Sequence, residues 1–454
     1  MTTTADTEAV RLPSGSRLPR ALQGVSFIVD RRRAIRRLRR RHGSAFTVNV
    51  PLFGHCVVVS EPTLLKQLFM AGTDLANGSQ PELAEVLGHG SLFGMDGDEH
   101  RRNRKLLVPP FHGKRMKEYE AIIEEETLRE MASWPEGEEF PTLEPMMRIT
   151  LNAILRAVFG AEGAEFQALR EELPPFVLLG SRLAVLPIPQ WKLGPLSPWS
   201  RFRARRRRID VHIDSLIDRA LADPALEERA DVLALLLRAR YEDGSGMSRQ
   251  QISDQLLTLL AAGHETTATT LGWAVERLRR HPALLRRLVA EADAGGSELR
   301  QATVYEVQRT RPVVDLTSRR VVAPTMALGE WVIPQGYAVL ASIDLTHEDG
   351  GLFPNAAAFD PDRFVGAHPD TYSWIPFGGG ARRCIGAAFA NMEMNVVLRT
   401  LLREFDLAPT AEPDERWHSR GVTFAPGRGG RALVRRRRDA AAGSTTAAVA
   451  AMSA

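Results

Sequence analysis

The chain has 454 residues, 44% of them hydrophobic, with a net charge of only +4. That length admits two or three average domains or one large helical enzyme, and the composition is that of an ordinary soluble globular protein, not a polycation. Two cysteines, Cys56 and Cys384, lie far apart with no C-x-x-C, which excludes a disulfide framework and fits a reducing, cytoplasmic setting. No apolar run approaches the ~18 residues needed to span a bilayer. Met1–Asp6 also lacks the charged start and apolar core of a signal peptide. Lysine occurs only at 66, 105, 114, 117 and 192, with arginine elsewhere, a codon bias that weakens arguments from arginine counts.

Residues 1–20 are polar and punctuated by Pro and Gly, and read as a flexible arm. Arg31–His42 (RRRAIRRLRRRH) is very basic, with Ile35 and Leu38 three apart. A nucleic-acid or membrane-surface patch competes here with a short solvated helix, the simpler reading. Ala45–Ser60 alternates around the turn Pro51–Gly54 as a hairpin does, and Cys56 within it is read as a small buried hydrophobe. A helix over Pro62–Ala71 leads into a Gly-rich loop, Leu75–Gly97. The next helix, containing Glu99–Arg104, closes at Pro109–Pro110, and His100 and Arg104 share one of its faces. Further helices are predicted over Lys114–Ser133, Leu143–Phe159, Ala161–Leu178, Arg201–Ala222 and Ala230–Tyr241, with the apolar connection Pro187–Pro198 between the third and fourth.

Ser248–Arg280 is the longest helical pattern, about 50 Å at 1.5 Å per residue. Ala262-Gly263-His264-Glu265-Thr266-Thr267 sits in its middle. A glycine and two back-bonding threonines weaken the helical ladder and leave room for water and a diatomic ligand. Glu265 beside a hydroxyl can relay protons. A zinc site of the H-E-x-x-H kind fails, because Ala268 stands where the second histidine must be. A helix over 282–295 follows, then one carrying Glu306 and Arg309 on the same side. Val313–Ile343 is β-rich, Ala387–Phe405 is an apolar helix, and Gly421–Val434 suggests a β-hairpin. Residues 436–454 are of low complexity and read as disordered.

Phe377-Gly378-Gly379-Gly380-Ala381-Arg382-Arg383-Cys384-Ile385-Gly386 precedes that apolar helix. A cysteine just ahead of a helix sits where unpaired N–H groups favour negative charge, so a thiolate, and hence a metal ligand, is expected. The glycines let the backbone turn sharply and lie close to something flat, and Arg382 carries a fork of donors suited to a carboxylate. Phe-x-x-Gly-x-Arg-x-Cys-x-Gly, filled by Phe377, Gly380, Arg382, Cys384 and Gly386, resembles the haem-binding signature of the cytochromes P-450. The Ala262–Thr267 stretch resembles that family's oxygen-activation motif. Glu306-x-x-Arg309 resembles its Glu-x-x-Arg, with the partner Arg363 in Pro361-Asp362-Arg363-Phe364, where Asp replaces the usual Glu. Gln308 replaces a leucine, a change expected to alter packing.

The resemblance covers roughly residues 20–435 and implies a mainly α fold with small β-sheets, one large cytochrome P-450 domain over 21–435. It implies haem b as cofactor, with Cys384 as axial ligand of the iron, favouring O–O cleavage. It also implies Thr266 and Glu265 as the proton-delivering pair, and His100, Arg104, Arg319 and Arg382 on the propionates. Arg320 beside Arg319 leaves that last assignment open. The Pro187–Pro198 connection and its helices would lid the substrate channel. The reaction implied is insertion of one atom of O2 into a hydrophobic small molecule, by hydroxylation or epoxidation, in secondary metabolism. No flavin or iron–sulfur module is evident, so electrons are expected from a ferredoxin or flavodoxin with its NAD(P)H-dependent reductase. Arg101, Arg102, Lys105, Lys114, Arg115 and Arg383 would form the docking face. Substrate-lining segments are expected at Leu75–Phe93, Phe176–Trp199, Leu256–Ala262, Val313–Ser318 and Thr423–Pro426. A peroxide-using or rearranging haem-thiolate enzyme is disfavoured by the intact Thr266 and Glu265, and a haem sensor leaves that pair unexplained.

Overall fold

The computed structural model of the chain describes residues 9–50, 53–78, 80–111, 113, 115–160, 163–186, 188, 194 and 197–437. The stretch 1–8, most of the Pro187–Pro198 connection and the end from 438 lie outside the described residues. Helix α1 (Arg20–His42) is followed by the antiparallel strands β1 (Ala45–Val50) and β2 (Gly54–Val59), paired from Ala45↔Val59 to Val50↔Gly54 as the alternation predicts. After α2 (Pro62–Met70), the stretch read as a Gly-rich loop holds β3 (Ala76–Asn77) and α3 (Pro81–Leu87) before α4 (Gly97–Leu107) begins.

The helical middle comprises α5 (Arg115–Met131), the short strand β4 (Glu139–Pro141), α6 (Leu143–Phe159), α7 (Ala164–Leu183), α8 (Pro198–Ala222) and α9 (Val232–Arg238). α7 continues through Pro174 and Pro175 beyond the expected end at Leu178. Its buried side, including Phe176 and Val177, packs on α8, where Phe176 and Phe202 stack with centroids 4.7 Å apart. That packing outweighs the helix-breaking tendency of the prolines. α10 (Arg249–Leu278) starts at a capping box, the Gln251 N–H donating to the Ser248 hydroxyl at 3.2 Å and the Ser248 N–H to the Gln251 amide oxygen at 2.8 Å. Nearly every residue from Ile252 to Leu278 is buried, so this helix is the axis of the core.

α11 (Pro282–Asp293) and α12 (Glu298–Thr310) precede β5 (Leu316–Val321), β6 (Thr325–Leu328), β7 (Trp331–Pro334), β8 (Ala338–Ser342) and the short α13 (Ile343–His347). The largest sheet has the order β1-β2-β8-β5-β3. The chain ends with α14 (Ala387–Glu404), β9 (Phe405–Leu407), β10 (Trp417–Ser419), β11 (Phe424–Pro426) and β12 (Arg431–Arg436). The expected Gly421–Val434 hairpin does not form: β11 pairs with β10, and β12 pairs with β4 and β9. Gly429 and Gly430, both at positive φ, redirect the chain, and Glu415 accepts from the N–H groups of Arg428, Gly430 and Arg431 to hold the turn.

Three other expectations change. Residues 9–19 are not a loose arm, because Arg11 and Val332 exchange both backbone hydrogen bonds (3.0 and 2.8 Å) and Thr47 N–H donates to Ser14. At the other end, Arg436 belongs to β12 and Arg437 N–H donates to Glu404 at 2.9 Å, so the ordered chain passes the expected limit at 435. The basic stretch Arg31–His42 is not a simply solvated helix either. Arg31 pairs with Asp315 (2.6 Å), Arg32 with Asp344 (2.9 Å), Arg36 with Glu348 and Arg39 with Asp349, and Arg32 stacks 3.2 Å over Trp417.

Glu306 and Arg309 form the bidentate pair their spacing allows, at 2.6 and 2.7 Å, both fully buried. Arg309 also donates to the carbonyls of His347, Ala356 and Ala358, and Arg363 lies 3.4 Å from Glu306 as an ion pair without hydrogen-bond geometry. Asp362, the residue in place of the usual Glu, pairs instead with Arg287 at 2.6 Å. The group fastens α12 to the segment that leads into the Cys384 loop. Gln308 points at Asn391 of α14, a packing role.

Candidate active site

The Cys384 loop folds back on itself. The Cys384 N–H donates to the Phe377 carbonyl and the Arg383 N–H to the Gly380 carbonyl, each at 3.0 Å. Gly380 has φ +63° and its missing Cβ would run into the Phe69 carbonyl, so only glycine serves there. Phe377 packs edge-on against Trp374. Gly386 caps α14, and its N–H faces the Cys384 sulfur. Cys384 has accessible surface, yet the surrounding protein desolvates its thiol. Burial pushes the thiol above its ordinary range, against the Gly386 N–H and the guanidiniums of Arg104 and Arg383. The helix end alone therefore does not make the expected thiolate; a coordinating metal deprotonates such a thiol outright. Cys56 differs: it is buried inside the sheet, donates to the Gly54 carbonyl, and is pushed up to about 12 by burial.

Beside the loop the structure gathers the predicted cations. His100 is buried on α4 and lowered to about 4 by burial, then by Arg382 and Arg104, so it is a neutral donor at pH 7. Arg104 donates to the Arg383 carbonyl at 2.7 Å, tying α4 to the loop. Arg319 is buried, donates to Gly379 at 3.1 Å, and is lowered to about 10 by burial and then by Arg382. Arg320 turns away to the Gly336 carbonyl at 3.0 Å, so Arg319 is the residue that belongs to this cluster. Arg382 is held by the carbonyls of Leu92 and Met95 and by Asp96 at 2.8 Å. Asp96, which also caps α4, had no signal in the sequence beyond its place before that helix. Three guanidiniums and a neutral imidazole around one carboxylate suit a group bearing further carboxylates. A thiol on the adjacent loop suits its metal, so the donor set fits a haem.

Along α10, Ala262 is exposed and Gly263 and Thr266 are half-buried, although the helix is otherwise interior. The Thr266 hydroxyl donates to the Ala262 carbonyl at 2.8 Å. At Gly263, α6 comes close, with Ile154 filling the space, and Thr150 donates to the His264 carbonyl at 2.9 Å. Glu265 does not face the Thr266 hydroxyl. Its Oε1 accepts from Arg420 at 2.8 Å and from Thr423 at 3.0 Å, partners too far along the chain for any spacing to suggest. A second carboxyl, Glu393 on α14, lies fully buried near Thr267. Neither oxygen has a partner of good geometry, and burial raises it well above the carboxylate range despite the Thr267 hydroxyl. An acidic residue toward the middle of an apolar helix was the only available hint.

A cleft collects four of the expected lining segments or their edges: Leu83, Ala184, Thr317 and Val422 line it, with Arg31 and Phe53. Leu256–Ala262 is not among its walls. On the expected docking face, Arg101, Arg102 and Lys105 pair with Asp98, Asp243 and Glu242, so that surface is less positive than the sequence suggests. Arg115 reaches the Ala230 carbonyl, Arg383 is exposed, and Lys114 lies outside the described residues.

The sequence pattern of the cytochrome P-450 family matches residues 13–429. A Mycobacterium tuberculosis protein named cytochrome P-450 138 is 57% identical over 428 residues, covering 94% of this chain and 97% of its own length. Cytochrome P-450 135B1 of the same organism is 39% identical over 451 residues, covering 97% and 95%. Among solved structures, cyanobacterial CYP120A1 with retinoic acid bound matches at a TM-score of 0.83 and 23% identity, covering 94% of this chain and 100% of that one. A cytochrome P-450DA haem domain matches at 0.83 and 20%, covering 95% and 98%; at these identities both show the fold alone. Proteins of the family bind haem b and are oxidoreductases. With the fold and a family pattern spanning nearly the whole of it in agreement, the chain belongs to the cytochrome P-450 family of haem-thiolate monooxygenases.

Proposed function

We propose that this protein hydroxylates or epoxidises a hydrophobic small molecule of secondary metabolism, and that the Cys384 thiolate would hold the haem iron. The observation that carries the reading is the accessible turn Ala262–Thr266 on an otherwise buried helix, with a hydroxyl on its open side. Haem b supplies O2 activation, helped by electron donation from the thiolate. Phe377, Gly380 and Gly386 shape the loop that aims the Cys384 sulfur. His100, Arg104, Arg319 and Arg382 hold the propionates, and Asp96 keeps Arg382 in place. Thr266 Oγ1 would hold and pass on a proton at the accessible turn of α10. Glu265 reloads that hydroxyl by exchanging Arg420 for Thr266, so Arg420 gates the supply.

The protein works in the cytoplasm, with electrons from a ferredoxin or flavodoxin and its NAD(P)H-dependent reductase, docking near Arg383. No helix among the described residues is long and apolar enough to cross a membrane. The test is a titration with a panel of hydrophobic compounds, following the haem spin state, then turnover of each binder with isotopically labelled O2 and a reductant. One labelled oxygen atom in the product is expected. Turnover with peroxide but none with O2 and reductant would choose the peroxide-using enzyme instead.

A further inference from the structure

The first half of α1 is amphipathic the wrong way round for a soluble protein. Asp30 breaks the helical geometry (φ −155°, ψ 84°), so residues 20–29 form a unit of their own. Its buried side carries Gln23 and Gly24; Gln23 accepts from Asn49 N–H at 2.9 Å and donates to the Leu18 carbonyl at 2.7 Å. Leu22, Val25 and Val29 are 54%, 58% and 77% exposed, and Ile28 and Leu18 are exposed with them. At 3.6 residues per turn, Gln23, Gly24 and Phe27 fall on one side, and Leu22, Val25, Ile28 and Val29 on the other. The apolar stripe thus points straight out from the body. In the stretch MTTTADTE before it only Met1 is large and apolar, against the four side chains of the stripe.

The arginines of the same helix are sorted. Arg31, Arg32, Arg36 and Arg39 pair with acids of the body, while Arg33, Arg37, Arg40 and Arg41 are exposed on the opposite side. Those four, and the exposed Arg17 and Arg20 ahead of the stripe, have no ion pair among the described residues. Codon bias explains arginine in place of lysine, but not this sorting, nor the outward leucine and valines.

We propose that the outer face of α1 docks on an anionic lipid surface, the apolar stripe entering the headgroup boundary and the six flanking guanidiniums meeting lipid phosphates. Charge complementarity selects this partner. A nucleic acid would take the arginines but leave the stripe in water, and a second copy would cover the stripe but oppose arginine to arginine. Arg31, next to the stripe, also lines the cleft with Phe53, Ala184 and Val422, so a docked bilayer lies beside that cleft. The docking itself is independent of which molecule the enzyme oxidises.

The holoprotein is sedimented with vesicles of phosphatidylcholine plus phosphatidylglycerol, and with vesicles of phosphatidylcholine alone. Binding to the first, weak binding to the second and release by high salt are expected. Leu22→Ser/Val25→Ser/Val29→Ser should weaken binding about tenfold or more. Arg33→Gln/Arg37→Gln/Arg40→Gln/Arg41→Gln should weaken it about a thousandfold. Both should keep the wild-type haem spectrum and melting temperature, since the altered side chains are exposed. Absence of wild-type binding, or binding unchanged in both variants, overturns the proposal. So does a dimer in sedimentation velocity that the serine variant dissociates, or DNA binding lost only in the glutamine variant.

Discussion

Around Cys384 the chain draws charge into its interior and gives nearly every group a partner, whereas the first half of α1 puts a glutamine inside and valines outside. The two regions answer to different surroundings. In the interior, an unpaired charge is destabilising, so Arg309 meets Glu306 and three carbonyls, Arg382 meets Asp96 and two, and Glu265 meets Arg420 and Thr423. On α1 the outward side chains are matched to nothing among the described residues. Substitutions inside should therefore act on haem, stability and turnover, and those on α1 should leave all three alone.

The largest effect is expected at the cysteine. Cys384→Ala should abolish the strongly red-shifted Soret band of the reduced, CO-bound protein, and Cys56→Ala should keep it. The reverse pattern would place the ligand in the sheet. Next comes the buried pair: Glu306→Ala leaves Arg309 uncompensated and should cost about 3–5 kcal/mol, read as an earlier thermal loss of haem. A melting curve like the wild type's would mean that Arg363 and the carbonyls suffice.

Thr266→Ala should bind haem and substrate as before, yet divert most reducing equivalents to peroxide or water. Unchanged coupling between electron use and product would remove the role assigned to that hydroxyl. A smaller effect is expected at Glu393, whose folded value is raised by burial. The folded state then holds a proton that the unfolded chain releases above pH ~4.3, so stability falls as pH rises from there toward the raised value. Glu393→Gln should flatten that slope in denaturant titrations at several pH values; a slope kept in full would assign it to other groups. Smallest is the docking face. Arg102→Glu/Lys105→Glu should slow reduction by an acidic ferredoxin only modestly, because both residues already pair with Asp243 and Glu242, and exposed pairs are worth ~0–1 kcal/mol. A large loss would mean those pairs open on docking.

Spacing in the sequence was enough to identify what is local or carried by a fixed motif. The hairpin β1–β2, the capped helix α10, the shared face of His100 and Arg104, the Glu306–Arg309 pair and the glycine turn before Cys384 each depend on residues a few positions apart, whose geometry the backbone dictates. Tertiary structure decided everything that needed a partner from far along the chain. Arg319 rather than Arg320 joins the cations because β5 pairs with β8 and turns alternate side chains to opposite faces. Glu265 lies 155 positions from Arg420, and Asp96 lies 286 from Arg382, and no periodicity spans such distances. The thiol of Cys384 is raised rather than lowered because desolvation depends on all that packs around it, while the helix end depends only on its neighbours. The outward face of α1 belongs to the same class: a helix's period tells which residues share a side, and only the packed body tells which side looks out.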